Sequence, residues 1–455
     1  MSTRIRLLHG VHVPHRKNTA DCVPVRMPVP AVVRIPMSMN IGKAAIPVVK
    51  AGDSVTVGQL IGEADDCDSA PVYSGVSGKV KKLDTMRLFH GGVCQAVVIE
   101  SDGEQTLCET LRAPEVHDFD SFIDAVRNSG VVGLGGAGFP TAVKLKVDPE
   151  KVEFICVNGA ECEPYITADT RTMLDDAEML VDGIELLKTY YPKAQVIVGI
   201  ENNKPECVKK LRGLTQGRDR VEIRPLPPLY PQGGEKVLIH NTTGRVVPEG
   251  KLPIDVGCIV INTSTLVAVT RYIQTGMPLV EKYVTVDGSA VKQPQNVIAP
   301  IGASIADVVA FTGGFKAFPK KILLGGPMMG VAVPDTEQVV VKNTGAILCF
   351  VEDEGVLPRQ TSCIRCGRCI DACPMNLMPC AIEHAFEKQD GAALQKLKVN
   401  LCMECGCCAF ACPGRHQLVE TNKLAKAMAN NYLKAQKAEE ERKAALAAEK
   451  EASAT

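Results

Sequence analysis

Tryptophan is missing from this 455-residue chain, and aromatic residues are only 4% of it. Its cores therefore have to be packed from Val, Ile, Leu and Ala. Excess charge is missing too: 51 basic residues face 52 acidic ones, which leaves no electrostatic footprint for nucleic acid. Long apolar runs are absent. The most apolar stretch, 256–269, is broken by Asn262, Thr263, Ser264 and Thr265 and is too short to span a bilayer. The opening residues, MSTRIRLLHGVHVPH, lack the apolar centre of a signal peptide. These absences point to a cytosolic chain, which can still dock onto a membrane complex.

What the chain does have is length and cysteine. Its length suits three or four domains rather than one core. Nineteen cysteines in a reducing cytosol are not expected to form disulfides. Eight of them form two regular runs, and the other eleven are scattered as small buried hydrophobes. The first run is Cys363, Cys366, Cys369 and Cys373-Pro374, and the second is Cys402, Cys405, Cys408 and Cys412-Pro413. This C-x2-C-x2-C-x3-C-P spacing, used twice, is the bacterial ferredoxin pattern for two [4Fe–4S] clusters. Three thiolates on a tight loop reach three corners of a cubane, and the fourth corner needs a ligand from elsewhere. With crossed ligation, one cluster takes Cys363, Cys366, Cys369 and Cys412, and the other takes Cys402, Cys405, Cys408 and Cys373. Zinc is the rival ion, but its sites normally pair two C-x-x-C units rather than a triple followed by Cys-Pro. Cys407 and Cys380 are read as spare thiols. The linker reads as helical over 378–387 and 392–398.

Upstream, residues 1–112 read as short strands punctuated by Gly52-Asp53, Gly58-Gln59, Gly75 and Gly78. The stretches VVKAGDSVTVGQLIGEA and APVYSGVSGKVKKL resemble the halves of a lipoyl-type barrel-sandwich without its modifiable lysine. That marks a docking or structural module. Residues 113–255 alternate helices (119–128, 177–190) with strands (151–158, 195–200), as expected for an α/β layer. Residues 256–350 carry strands at 283–287 and 322–324 around a helix near 304–311, as in a small β-grasp domain. From 433 the chain becomes Ala, Glu and Lys, a solvated helix or a disordered tail.

The α/β part holds a second motif. Residues 130–146 read GVVGLGGAGFPTAVKLK, where Gly133, Gly135 and Gly138 match G-x-G-x-x-G and Pro140 suits the start of a helix. Glycines let a backbone approach a phosphate, and a following helix adds free N–H groups; a ligand-free turn is the bland alternative. Twenty residues on, Asn158, Glu161 and Glu163 follow a buried strand, where α/β sites open.

The GLGGAGFPT loop, NGAECEP, YPQGGEK and the late double cysteine run are together similar to the RnfC family, the C subunits of the Rnf complex, a membrane-bound, ion-translocating ferredoxin:NAD+ oxidoreductase. The domain order matches over almost the whole chain. The centre also resembles the flavoprotein subunit of respiratory complex I, which binds FMN and NADH. The resemblance implies a multidomain α/β and α+β protein: barrel-sandwich (1–112), FMN/NADH domain (113–255), β-grasp, SLBB-like domain (256–350), two-cluster ferredoxin-like domain (358–430) and a tail (431–455). It implies that Gly133, Gly135, Gly136 and Gly138 line flavin and nucleotide phosphates. Phe139 would touch NADH, and Lys144, Asn158 and Glu161 the flavin. Glu163 would bind nucleotide, while Tyr230, Gly233 and Glu235 face flavin and nicotinamide. Asn262 and Thr265 would hold the flavin phosphate. Leu134, Ala160 and Gly234 depart from the complex I pattern, where Arg, Asp and Glu stand, and His9 replaces a usual Gly. The implied cofactors are FMN, NAD(H) and two [4Fe–4S] clusters. The implied partners are the other subunits of an Rnf-type complex and, through them, ferredoxin. The implied place is the cytoplasmic face of the membrane, where FMN would exchange hydride with NAD(H) and single electrons with the clusters. Two alternatives stand beside this: a flavin-free relay and docking module, and a corrinoid reductase of the propanediol-utilisation type.

Overall fold

A computed structural model describes residues 8–66, 68–88 and 91–453, with side chains to 445. The start of the barrel-sandwich (1–7), Cys67 and the last two tail residues lie outside the described residues. The chain forms two units. One comprises Val13–Pro228 and Glu235–Leu357; the other comprises 8–12, Leu229–Gly234 and the chain from Pro358 onward.

The larger unit holds four sheets. Near its N-terminus, a four-stranded antiparallel sheet orders Val32–Pro36, Val93–Ser101, Gly78–Arg87 and Ser54–Val55. A three-stranded sheet orders Ile46–Pro47, Leu60–Glu63 and Val72–Tyr73. Alternation along these strands buries Val33, Ile35, Ile61, Val80, Val97 and Ile99, as expected when one face of a strand meets the core.

The central sheet is wholly parallel, in the order Val221–Leu226, Gln195–Glu201, Phe154–Gly159 and Cys258–Asn262. Its middle strands are apolar nearly throughout, because helices cover both faces. The helix Phe119–Asn128 starts on a capping box made by Asp118 and Ser121 and buries Phe122, Ile123 and Val126. Ala177–Tyr190 turns Leu180, Ile184 and Leu187 inward. A division of the chain at 256 cuts this sheet: Cys258–Asn262 and the helix Thr263–Thr275 belong to it, not to the sheet that follows. Cys258–Asn262 is apolar like its neighbours and pairs residue by residue with Phe154–Gly159.

The fourth sheet is mixed and six-stranded: Val25–Arg26, Gln295–Pro300, Glu281–Asp287, Ala346–Phe350, Lys321–Leu324 and Val331–Val333. Its helix, Ile305–Phe311, is capped by the Ser304 hydroxyl.

The second unit is helical. Pro379–Glu387 and Gly391–Lys396 pack against Leu418–Ser453 around Ile382, Leu394, Ala425 and Ala429. The tail is thus the continuation of a single helix. Among the described residues no helix is long and apolar enough to cross a membrane.

Candidate functional site

The cysteine runs are brought together in crossed sets. One cavity in the second unit is bordered by Cys363, Cys366, Cys369 and Cys412, with Cys380, Glu383 and His416 at its edge. Another is bordered by Cys402, Cys405, Cys408 and Cys373, with Cys407 beside them. Positive φ at Gly367 and Gly406, one residue past the second cysteine of each run, turns the chain around each cavity.

The donor chemistry fits iron–sulfur clusters. Among the described residues, no three His, Cys, Asp or Glu side chains converge as they would on one metal ion. The thiols surround a space instead, which suits a cubane with separated corners. Burial, with Cys380 close by, holds the Cys369 thiol up at about 11, and burial also raises Cys373 and Cys402. Such thiols ionise readily only when a metal charge compensates them. Sulfur-directed donors are in place: the Leu377 amide reaches Cys373 Sγ at 3.4 Å, and the Glu404 amide and Asn422 Nδ2 reach Cys402 Sγ at 3.4 and 3.5 Å. Hydrogen bonds to cluster sulfurs are among the features that set potential. The Cys407 thiol donates to the Tyr230 carbonyl at 3.7 Å.

The two cavities differ at the surface. Cys363 and Cys366 are exposed, whereas Cys373, Cys405 and Cys408 are buried. Tyr230 sits in this same unit, and its hydroxyl donates to the Cys405 carbonyl at 2.7 Å. Its backbone pairs with Val11. Tyr230, expected to face flavin, thus braces the second cysteine run. Gly233 lies in the same short segment.

The glycine loop, in the larger unit, is built from its hydrogen bonds. The Gly133 amide donates to the Phe139 carbonyl (2.8 Å) and the Gly138 amide to the Gly133 carbonyl (3.0 Å). Leu134 N–H donates to Thr265 Oγ1 (2.9 Å). The amides of Gly135, Gly136 and Ala137 have no hydrogen-bond partner among the described residues, and all three residues are exposed. Gly136 and Gly138 hold φ of +124° and +68°, which favours glycine at both. A row of free amides on a glycine turn is an anion-binding nest, so the residues present fit the phosphate of FMN.

Around the nest, Asn158 and Asn262 stand in register at the carboxyl ends of adjacent parallel strands. Asn262 caps Thr263–Thr275 by accepting from Thr265 N–H at 3.1 Å, and it lies where a Cβ on Gly135 would touch it at 3.1 Å. Its Nδ2 donates to Asp169 at 2.7 Å, and Ser264 Oγ donates to the same carboxylate at 2.6 Å. Phe139 leaves part of its ring exposed. Lys144 and Glu235 meet as a half-exposed ion pair at 2.7 Å.

The two acids after the strand divide. Glu161 is buried and engaged by the fold: it accepts from Asp169 N–H (2.7 Å), Thr170 N–H (3.3 Å) and Thr170 Oγ1 (2.7 Å) at the start of Ala168–Asp175. Lys17 lies 3.9 Å away and ties the segment by donating to the carbonyls of Glu161, Glu163 and Ile166. Burial pushes Glu161 up and Lys17 down, each partner opposing the other's shift. Glu161 thus holds the start of Ala168–Asp175. Glu163 accepts from Met328 N–H at 3.1 Å. Lys17, Asp169 and Ser264 are functional neighbours that sequence patterns did not single out. Asp169 alone carried a signal, standing inside the same acidic segment.

Residues 5–104 match the RnfC barrel sandwich hybrid domain, 126–271 the Nuo51 FMN-binding domain, 283–332 the SLBB domain, and 356–413 the 4Fe-4S dicluster domain. The chain is 40% identical over 81% of its length to the C subunit of the proton-translocating ferredoxin:NAD(+) oxidoreductase complex of Clostridium ljungdahlii, covering 82% of that protein. It is 40% identical to the Na(+)-translocating counterpart of Acetobacterium woodii, covering 81% of this chain and 85% of that one. The C subunit of the ion-translocating oxidoreductase complex of Rhodobacter capsulatus is 36% identical, over 81% and 73% of the two chains. Among solved structures, an NAD+-reducing [NiFe]-hydrogenase in the air-oxidized state aligns over 68% of this chain and 64% of its own, with TM-score 0.49 and 22% identity.

Proposed function

The chain belongs to the family of C subunits of ion-translocating ferredoxin:NAD(+) oxidoreductase complexes, and from that premise we propose that it is the peripheral subunit at which NAD(H) exchanges electrons with the complex. Bound FMN supplies hydride exchange with nicotinamide and single-electron exchange with the clusters. The protein's contribution is placement.

In this reading the free amides of Gly135, Gly136 and Ala137 receive the flavin phosphate, with Gly133 and Gly138 shaping the turn. Asn158, Asn262 and Thr265 border it. Phe139, Glu163 and the Lys144–Glu235 pair serve the flavin ring and the nucleotide. One cluster is held by Cys363, Cys366, Cys369 and Cys412, the other by Cys402, Cys405, Cys408 and Cys373. Tyr230 fixes the second cysteine run, and Gly233 lies in the same segment. The domains divide near 112, 275 and 350, which keeps Cys258–Asn262 and Thr263–Thr275 in the FMN domain. The chain would sit on the cytoplasmic face, held by the membrane subunits and served by ferredoxin through them.

The observation that carries the reading past a simple electron relay is the exposed row of unbonded amides at 135–137. A relay needs no phosphate nest. The test is an anaerobic spectrum of the purified chain with iron and flavin quantified, before and after NADH. About eight irons and one FMN, bleached by NADH, are expected from the ligand sets. Iron without flavin, and no response after reconstitution with FMN, would leave only a relay.

A further inference from the structure

The nest raises a physical question that its own residues do not answer. A run of glycines has little preference for one orientation of its peptide planes, yet here three successive N–H groups of exposed residues are left without a partner among the described residues. In a trans peptide, the carbonyl of one residue and the N–H of the next point in opposite directions. Whatever holds a loop carbonyl inward therefore aims the following amide outward.

Two side chains do this. Lys282 Nζ donates to the Leu134 carbonyl at 3.3 Å, which sets the plane carrying Gly135 N–H. Asn343 Nδ2 donates to the Gly136 carbonyl at 2.8 Å, which sets the plane carrying Ala137 N–H. Neither comes from the parallel sheet; they belong to the six-stranded sheet and to the turn that leads into one of its strands. Lys282 is on Glu281–Asp287, and Asn343 just precedes Ala346–Phe350, the strand paired with it. From the barrel-sandwich, Ile41 N–H binds the Gly138 carbonyl at 2.9 Å, closing the far end of the loop.

We infer that Lys282 and Asn343 are positioning residues for the phosphate end of the flavin, aiming the amides of Gly135 and Ala137 at it from behind the loop. This deepens the proposed function and rests on its flavin reading. Lys282 adds charge as well as a hydrogen bond. Burial pulls its ammonium down to about 8, with the Asp169 carboxylate opposing the fall, so it stays largely cationic at neutral pH beneath an anion site. The arrangement also gives the SLBB-like domain a purpose, since its paired strands lock the phosphate loop of another domain.

The consequence is selective. Both residues act on the phosphate, so their loss weakens FMN binding and leaves riboflavin binding alone. The full-length, cluster-loaded chain is stripped of flavin and titrated with FMN and, separately, with riboflavin, following the quenching of flavin fluorescence. Wild type is expected to prefer FMN. Asn343→Ala and Lys282→Met should each lower FMN affinity about tenfold, the effect of roughly one charge-assisted hydrogen bond. Riboflavin affinity should stay within twofold. Asn343→Asp should be worse than Asn343→Ala, because it sets a carboxylate against the Gly136 carbonyl. Asn343 is only partly buried, so its variants test the idea even if Lys282→Met does not fold. Wild-type FMN affinity in the Asn343 variants, or equal losses for the two flavins, overturns the inference while the flavin reading stands. A wild-type chain that binds neither flavin overturns both.

Discussion

Lys342 offers the clearest energetic test of this structure. Its side chain is among the largest that are fully buried, and its ammonium has one hydrogen bond, to the buried Pro71 carbonyl at 2.7 Å. Among the described residues no acid opposes burial, which pulls the group from 10.5 down to about 7. At about 1.36 kcal/mol for each tenfold change in acidity, this corresponds to a penalty of at most about 5 kcal/mol for the charged form. Lys342→Met removes the charge and keeps most of the volume. It also leaves the Pro71 carbonyl without its donor, at a cost of about 1–3 kcal/mol. The net expectation is a gain of about 2 kcal/mol near pH 6.5. Its pH dependence is distinctive. The folded pKa lies below the unfolded one, so between pH 7 and 10.5 the unfolded chain binds more protons and wild-type stability rises with pH. The methionine variant has no such term, so its advantage is fully present below pH 7 and shrinks towards pH 10. Scanning calorimetry of both proteins with clusters loaded, at pH 6.5, 8 and 9.5, reads the difference in melting of the larger unit. A variant that melts below wild type at pH 6.5, or a difference that does not change with pH, would refute the reasoning.

Other perturbations separate the sites. Cys363→Ser should lose one cluster and keep the other, so iron analysis should fall from about eight to about four per chain; complete loss of both would contradict independent ligand sets. Asn262→Ala removes the helix cap and the tie to Asp169 together. It should cost about 1 kcal/mol of stability and lower FMN retention, measured by denaturant melting and flavin release. Glu161→Gln replaces one acceptor oxygen by an amide NH2, which faces either the Asp169 or the Thr170 donor, so the larger unit should lose about 1–3 kcal/mol. Calorimetry should show this, with FMN affinity less affected than stability; the reverse order would restore Glu161 as a flavin contact.

Much of this architecture was legible where a local rule is strong. The helix Phe119–Asn128 announces itself by the spacing of Phe122, Ile123 and Val126, and Ala177–Tyr190 by its apolar stripe. The crossed grouping of the cysteines follows from the length of the runs, since each loop has three inward positions and its fourth cysteine lies a helical turn away. What was not legible depends on partners distant in the chain. Nothing local to NGAECEP says that the Glu161 carboxylate will accept from Asp169 and Thr170 and lie beside Lys17. The parallel pairing of Cys258–Asn262 with Phe154–Gly159 spans about a hundred residues, so an apolar strand there reads equally well as the start of the next domain. Lys282 and Asn343 are invisible for the same reason, because their meaning lies in carbonyls well over a hundred residues upstream.

The short segment Leu229–Gly234 changes how the cluster unit can be handled as a part. The chain enters that unit for six residues, threads Tyr230 under the Cys405 carbonyl and beside Val11, and leaves again before returning for good at Pro358. The clusters are therefore not a detachable cassette at the end of the chain. A fragment beginning at Pro358 would carry the eight cysteines of the two runs and still lack the tyrosine that braces one run. A deletion of the same region would strand that tyrosine without its acceptor. Shuffling or grafting this module intact would require three cuts of the chain to travel together.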